Sequence, residues 1–170
     1  MGSVITQDKS YSYDKTFYDF AKVPEAGAEM TKYFEGWRPD IYKDTRGNKT
    51  IGYGFKLSSA QKYLPKEVLS GTRELSKVEA EPIFNIMYND AKDRAVQYTT
   101  PEIFSQLSPR QQNILIDMSY NLGNNLFEFK QMQKALLQKD FSGVIREMKD
   151  SKWYEQVGKR SVYHTNKFAE

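Results

Sequence analysis

The sequence predicts an α+β fold, in which a short helix and a small sheet are followed by a long run of helices. Three observations support this order. Apolar residues recur at helical spacing before Gly36, strand-forming residues flank a turn-rich segment at 44–48, and helix signals fill the chain after Ser58. Strands grouped together in this way are typical of the α+β class.

The first predicted helix begins near Glu25 and ends at Glu35. Its apolar positions share helical spacing; they are Ala28, Met30, Tyr33 and Phe34. Gly36 follows directly, and glycine is the residue expected just past a helix C-terminus. Glu35 is therefore predicted to lie at the end of this helix.

A β-hairpin is predicted next. Residues 41–43 and 50–55 are rich in strand-forming side chains, and the segment Asp44-Thr45-Arg46-Gly47-Asn48 between them is rich in turn formers. We expect the two segments to pair as strands of a small sheet.

The remaining chain is predicted to be helical, with two clear helix starts. Ser76 and Glu79 have the spacing of a capping box, and so do Ser108 and Gln111, with proline at the first helical position after Ser108. The first helix should run to about residue 98 and the second should end at Gly123. Further helices are expected over 127–138 and 141–149.

The length of 170 residues fits one domain, and no linker or internal repeat divides the chain. Residues 1–24 are polar and tyrosine-rich without helical periodicity, so we interpret them as an N-terminal extension to a domain over 25–170. No apolar run approaches the roughly 18 residues of a membrane span, which predicts no membrane insertion. The first ten residues also lack the order of a signal peptide.

Composition excludes several classes of site. The chain has no cysteine and a single histidine, His164, which excludes disulfides, thiol catalysis, cysteine-based zinc sites and histidine-rich metal sites. Nothing else in the sequence implies a metal or an organic cofactor. The net charge of +3 weakly favours anionic partners. The basic residues are scattered and balanced by 22 acidic ones, which argues against a nucleic-acid binder.

Three polar residues form a candidate catalytic set: Glu35, Asp44 and Thr50. Glycoside hydrolysis needs a protonated carboxyl for the leaving oxygen and an ionised carboxylate that attacks the sugar or holds a water molecule. A helix C-terminus disfavours the carboxylate form of Glu35, whereas Asp44 beside a solvated turn should stay ionised. Thr50, across the hairpin, could help to fix the water. The plainer alternative is that Asp44 only caps its turn.

The residues from Glu35 to Gly54 read EGWRPDIYKDTRGNKTIGYG. The order of Glu, eight residues, Asp, five residues, Thr and then Ile-Gly-x-Gly strongly resembles the phage lysozyme family. Two later stretches are similar to the family as well: Asn121-Leu122-Gly123, and Ser151-Lys152-Trp153-Tyr154 with Gln156 and Arg160. The resemblance implies a lysozyme-like fold. It has a small N-terminal lobe with a β-hairpin or three-stranded sheet, and a long helix joins it to a larger helical lobe.

The resemblance also implies roles for residues. Glu35 matches the general acid, Asp44 the carboxylate that handles water, and Thr50 the threonine beside it. Arg160 matches an arginine that approaches the acid. Tyr120 matches an aromatic side chain that lines the substrate cleft, although core packing would explain it equally well.

Other positions carry weaker expectations. Trp153 matches a structural tryptophan, and Trp37 is a possible neighbour of the cleft. Phe55 stands where members of the family often have a histidine that takes part in a charge pair, which puts that pair in doubt. His164 is interpreted as a surface or packed histidine without a catalytic role.

The implied function is hydrolysis of the β-1,4 bond between N-acetylmuramic acid and N-acetylglucosamine in peptidoglycan, with inversion at the anomeric carbon. Two alternatives stay open. A lytic transglycosylase would cleave the same bond with the sugar's own hydroxyl group. A catalytically weak or inactive domain would bind the cell wall or serve as a virion or scaffold component.

Partners and location follow from the same resemblance. The expected partner is the glycan strand of peptidoglycan, and the N-terminal extension is a possible contact with other virion proteins. The protein would either accumulate in the host cytoplasm before lysis or be carried in the virion.

Overall fold

The computed structural model describes residues 19–170. Most of the proposed N-terminal extension over 1–24 lies outside the described residues, so its boundary stays a prediction. After a 3-10 turn at Phe20–Lys22 the chain forms α1, Gly27–Glu35. The helix ends where predicted, and Gly36 takes a positive φ of 74° at its C-cap.

The sheet is antiparallel and three-stranded, with the order β1-β2-β3. Its strands are Arg38–Lys43, Lys49–Gly52 and Phe55–Lys56. The turn at 44–48 was predicted correctly. The prediction of one strand over 50–55 was wrong, because Gly52 and Gly54 adopt positive φ values of 68° and 73°. The chain reverses there, and Phe55 pairs back with Ile51.

The small lobe is completed by short helices, and a long helix leads out of it. These elements are α2 Leu57–Ala60, a 3-10 turn Gln61–Tyr63, α3 Lys66–Leu69 and the long α4 Lys77–Thr99. The large lobe follows with α5 Pro101–Gln106, α6 Pro109–Leu122, a 3-10 helix Gly123–Glu128, α7 Lys130–Leu137, α8 Phe141–Lys149, α9 Lys152–Val157 and α10 Lys159–Phe168.

Both predicted capping boxes are formed, at Ser76 for α4 and at Ser108 for α6. The helix predicted over 127–138 is instead divided between a 3-10 helix and α7. The chain turns at Phe129, whose ψ of 66° is not helical. None of the helices over residues 19–170 combines the length and the apolar character that a membrane span requires.

Two main apolar clusters mark the two lobes. The small-lobe cluster joins the sheet to the start of α4 and includes Ile51, Phe55, Ile83 and Phe84. The larger cluster joins α4 to the following helices and includes Tyr98, Leu115, Met118 and Leu136. The sequence prediction of an α+β fold with a small sheet lobe and a larger helical lobe is thus confirmed. The helix α1 packs against α6, which brings Glu35 to the junction of the lobes.

Candidate active site

Glu35 is the last residue of α1, and its side chain is only 13% exposed. One carboxylate oxygen, Oε2, accepts a hydrogen bond of 2.6 Å from Nη1 of Arg160. Burial has the largest effect on the pKa of Glu35 and raises it, while the adjacent Arg160 lowers it. The net pKa lies above its ordinary value, so the site favours a protonated carboxyl group.

Gly54 leaves room for this carboxyl group. A Cβ atom on Gly54 would overlap Oε1 of Glu35 and lie 2.8 Å from its Cδ. The second glycine of the Ile-Gly-x-Gly motif is therefore required by the position of Glu35. It allows the backbone between β2 and β3 to approach the acid closely.

Asp44 lies at the β1–β2 turn and is held by that turn. Its Oδ1 accepts hydrogen bonds from the backbone nitrogens of Arg46 (2.9 Å) and Asn48 (2.8 Å). Partial desolvation would raise the pKa of Asp44, but the hydrogen bonds from Asn48 and Arg46 outweigh it and lower the pKa. Asp44 thus caps its turn, as the plainer alternative held, and the same hydrogen bonds favour its ionised form.

Thr50 is on β2, directly across from Tyr42 in the β1–β2 register. Directly paired residues share a face of a sheet, so the side chains of Thr50 and Tyr42 lie on one face. Thr50 is 3% exposed, and its hydroxyl donates to the carbonyl oxygen of Asn48 over 2.9 Å.

Arg160 comes from α10 and is 6% exposed. Besides Glu35 it contacts Asp117, to which its Nε and Nη2 donate over 2.7 and 2.8 Å. The sequence resemblance predicted that this arginine approaches the acid, and the structure brings the two together.

Sequence reasoning missed three residues behind the acid: Thr31, Asp117 and His164. Asp117 is fully buried and accepts a hydrogen bond of 2.6 Å from the Thr31 hydroxyl. Nε2 of the buried His164 lies 2.6 Å from the same carboxylate. The sequence predicted either a surface or a packed histidine, and His164 is packed in the interior. A signal for Asp117 existed, since a lone carboxylate interrupts the apolar run Ile114-Leu115-Ile116 and Met118.

The aromatic candidates are distributed around this centre. Tyr120 is half-buried, and its hydroxyl donates to the carbonyl oxygen of Tyr53 over 2.6 Å. It packs against both apolar clusters, so it links the lobes. Trp37 packs on the Tyr53 ring, with centroids 4.9 Å apart.

Two further expectations concern core positions. Trp153 is 3% exposed, and its indole nitrogen donates to the side-chain oxygen of Asn121 over 2.8 Å, which confirms a structural position. Phe55 is 1% exposed in the small-lobe cluster, so the position at which the family often has a histidine is apolar here.

The arrangement can support acid–base chemistry. Glu35 and Asp44 have environments that shift their pKa values in opposite directions, and this suits one carboxyl group to the role of proton donor and the other to that of ionised carboxylate. Arg160 lies where it can stabilise the carboxylate that Glu35 becomes after giving up its proton.

Comparison with known proteins agrees with this geometry. A family model described as phage lysozyme matches residues 32–165. The chain is 30% identical over 154 residues to probable T4-type lysozyme 2 of Dictyostelium discoideum, which covers 78% of this chain and 87% of that protein. Probable T4-type lysozyme 1 of the same organism is 30% identical over 148 residues, with the same coverage.

A third relative is a larger phage protein. The pre-baseplate central spike protein Gp5 of Enterobacteria phage T4 is 24% identical over 148 residues, covering 79% of this chain and 26% of that protein. The family model spans most of the chain, and the T4-type lysozymes align over most of their own length. The chain therefore belongs to the phage lysozyme family.

Proposed function

We propose that this protein hydrolyses the β-1,4 bond between N-acetylmuramic acid and N-acetylglucosamine in peptidoglycan, with inversion. One observation carries the proposal. The Glu35 carboxyl group lies beside Arg160 at a helix end, where burial raises its pKa, whereas backbone N–H groups of a turn hold the Asp44 carboxylate and lower its pKa. Membership of the phage lysozyme family supports peptidoglycan as the substrate.

Each residue has a defined part in the proposed reaction. Glu35 donates its proton to the glycosidic oxygen as the bond from that oxygen to the anomeric carbon breaks. Asp44 accepts a proton from a water molecule, whose oxygen forms the new bond on the opposite face of the sugar. Thr50 helps to hold that water, and Arg160 stabilises the carboxylate left on Glu35. Tyr120 offers an aromatic surface to the glycan strand.

The first test is the rate at which the protein clears purified sacculi. Glu35→Gln keeps the size of the side chain but removes the transferable proton, so we expect a loss of about a hundredfold or more. Glu29→Gln is the matched control, because Glu29 is exposed on the same helix. It should retain wild-type activity. A folded wild type that leaves sacculi intact would contradict the proposal.

Analysis of the released products separates hydrolysis from the transglycosylase alternative. Hydrolysis gives reducing N-acetylmuramic acid ends, whereas a transglycosylase gives 1,6-anhydro ends that mass spectrometry detects. The anomer formed first, followed by proton NMR on a soluble glycan fragment, tests inversion directly. Retention would contradict the assigned role of Asp44.

The alternative of a wall-binding virion component rests on the similarity to a central spike protein. Sedimentation with sacculi tests it. Binding without any turnover by the wild type would favour a scaffold role, and mass spectrometry of purified phage particles would distinguish a virion location from release into the host cytoplasm. Contacts with virion proteins through the N-terminal extension would be tested by its deletion.

A further inference from the structure

Asp117 lies behind the proposed acid and is fully buried. Its Oδ1 accepts from Thr31 and from Nη2 of Arg160, over 2.6 and 2.8 Å. Its Oδ2 accepts from Nε of Arg160 over 2.7 Å and lies 2.6 Å from Nε2 of His164. Contacts from three different side chains therefore fix this carboxylate, and burial raises its pKa less than Arg160 and His164 lower it.

Arg160 divides its donors between two carboxyl groups. Two donors, Nε and Nη2, form a two-pronged contact with Asp117, and Nη1 alone reaches Glu35. A two-pronged arginine–carboxylate contact is both stronger and more directional than a single hydrogen bond. The guanidinium group is thus oriented by Asp117 and presents one remaining edge to the acid.

His164 contributes a hydrogen bond to Asp117 but no charge. Its ring is fully buried, and burial lowers its pKa despite the nearby Asp117. Within the described part of the chain its Nδ1 has no hydrogen-bond partner, which suits a neutral ring that carries its proton on Nε2. Nε2 then donates to Asp117.

The net charge of the buried cluster formed by Glu35, Asp117, Arg160 and His164 depends on the protonation of Glu35. Arg160 and Asp117 cancel each other, so the buried cluster is neutral when Glu35 carries its proton and has one excess negative charge when Glu35 is ionised. Without Asp117, the buried guanidinium would have Glu35 as its nearest counter-ion and would strongly favour the ionised form.

We propose that Asp117 is a positioning residue for the reaction: it is the permanent counter-ion of Arg160, and it thereby allows Glu35 to remain protonated beside a buried arginine. This inference rests on the proposed role of Glu35 as the general acid. Thr31 and His164 support Asp117 by completing its hydrogen bonds.

Other ionisable groups also act on Glu35 and must be considered in any pH measurement. The groups that interact with it from the neighbouring elements are Arg160 on α10, Asp117 and Tyr120 on α6, Tyr42 on β1 and Lys56 on β3. A single substitution at Asp117 leaves the other four in place.

The test is the pH dependence of hydrolysis of a soluble glycan fragment by Asp117→Asn. Activity is lost at high pH when the acid is ionised, so the basic limb of kcat/KM reports on Glu35. We expect this limb to move to lower pH, with a drop of about tenfold or more at neutral pH that is regained on acidification. Asp140→Asn removes the same charge at the exposed N-cap of α8, so its basic limb should not move.

A purely structural role would have a different signature. Folded Asp117→Asn protein would then keep the wild-type basic limb and lose only stability, and that result would overturn the proposal. Asp117→Asn leaves Arg160 without its main partner. For the case in which this variant does not fold, Arg160→Gln and the double variant Asp117→Asn/Arg160→Gln provide a second comparison. Because Asp117 acts by balancing the charge of Arg160, these two variants should have basic limbs close to one another. A limb of the double variant that is displaced by about one pH unit or more from that of Arg160→Gln would overturn the proposal.

Carbon-13 NMR of the labelled Glu35 carboxyl group gives a readout that needs no turnover. Its titration midpoint should fall in Asp117→Asn relative to wild type. An unchanged midpoint would overturn the inference even in an active enzyme. A midpoint that falls in a protein without hydrolytic activity would instead uphold the electrostatic role of Asp117 and reject the proposed function.

Discussion

At the scale of single residues, the two oxygens of the Glu35 carboxyl group have different surroundings. Oε2 accepts a hydrogen bond from Arg160, while Oε1 faces the backbone at Gly54. The oxygen next to Gly54 is the one that no arginine contacts, and we expect it to hold the proton that reaches the substrate. The position of the Glu35 carboxyl group therefore requires the space left by Gly54 as well as the hydrogen bond from Arg160.

Gly54→Ala should reduce hydrolysis of sacculi by at least tenfold, because the new methyl group would push the Glu35 carboxyl group out of place. It should also reduce stability by about 1–2 kcal/mol, since the φ of 73° is unfavourable for alanine. Initial rates and urea denaturation curves measure the two effects.

Gly71→Ala is the matched control for this substitution. Gly71 has a similar φ of 79°, but a Cβ there would meet no atom of the described residues within 4 Å. The control should lose stability by a similar amount and keep its activity per folded molecule. Equal losses of activity in both variants would show that backbone strain, not contact with Glu35, is responsible.

The sequence predicted the positions of Glu35 at a helix end and of Asp44 at a turn because their signals are local, namely a glycine after a helix and turn formers after a strand. It did not reveal what surrounds the acid. Thr31 and Asp117 meet across 86 positions of the chain, and Arg160 and Asp117 across 43. No periodicity within one element reports such contacts. Only the presence of a carboxylate in an apolar helix hinted at Asp117.

At the scale of secondary-structure elements, α6 connects the site to the large lobe. It carries Asp117 and Tyr120, and its capping box begins it at a defined residue. The Ser108 hydroxyl accepts from the Gln111 nitrogen over 3.1 Å, and the Gln111 side chain also donates to the carbonyl oxygen of Phe168 at the end of α10 over 3.0 Å. The helix start is thus tied to the helix that carries Arg160.

Ser108→Ala should lower the free energy of unfolding by about 1 kcal/mol, because an unsatisfied backbone N–H group remains at the start of α6. Chemical denaturation measures the loss. Ser105→Ala is a suitable control, since Ser105 is exposed and its hydroxyl contacts the Glu102 carbonyl oxygen within one helical turn. Its effect should stay within about 0.5 kcal/mol. A larger loss in the control than in Ser108→Ala would contradict the assignment of the cap.

The elements that sequence reasoning placed well are those with chemical start and stop signals. The ends of α1 and α6 coincide with glycines, and both capping boxes mark helix starts. The prediction of a single strand over 50–55 was wrong because it did not take the two glycines into account. The residues of this segment favour strands, but Gly52 and Gly54 permit a tight reversal, and a Cβ atom at either position would collide with Phe55 or Glu35.

At the scale of the whole molecule, the buried cluster joins three helices that are distant in the chain. Thr31 and Glu35 come from α1, Asp117 from α6, and Arg160 and His164 from α10. The same contacts that shape the site therefore hold α1 against the large lobe. The protonation states of this cluster should consequently appear in the stability of the entire fold.

The dependence of stability on pH offers a test of the charge assigned to His164. Burial lowers its pKa in the folded protein. As the pH falls through about 6.5, the unfolded chain therefore takes up a proton that the native state does not, and stability decreases by at most about 1.4 kcal/mol per pH unit. Glu35 acts in the opposite sense, because its raised pKa favours the native state on acidification. The measurement therefore belongs in a Glu35→Gln background.

In that background the free energy of unfolding, from urea denaturation, should decrease between about pH 7.5 and about pH 5.5. Adding His164→Gln should remove the decrease, whatever its effect on absolute stability. Asp44 and Asp117 have lowered pKa values and stay ionised in both states over this range. An increase in stability on acidification would mean that Asp117 keeps His164 protonated. The buried cluster would then be neutral with an ionised Glu35, so the cluster as a whole would no longer favour the protonated acid.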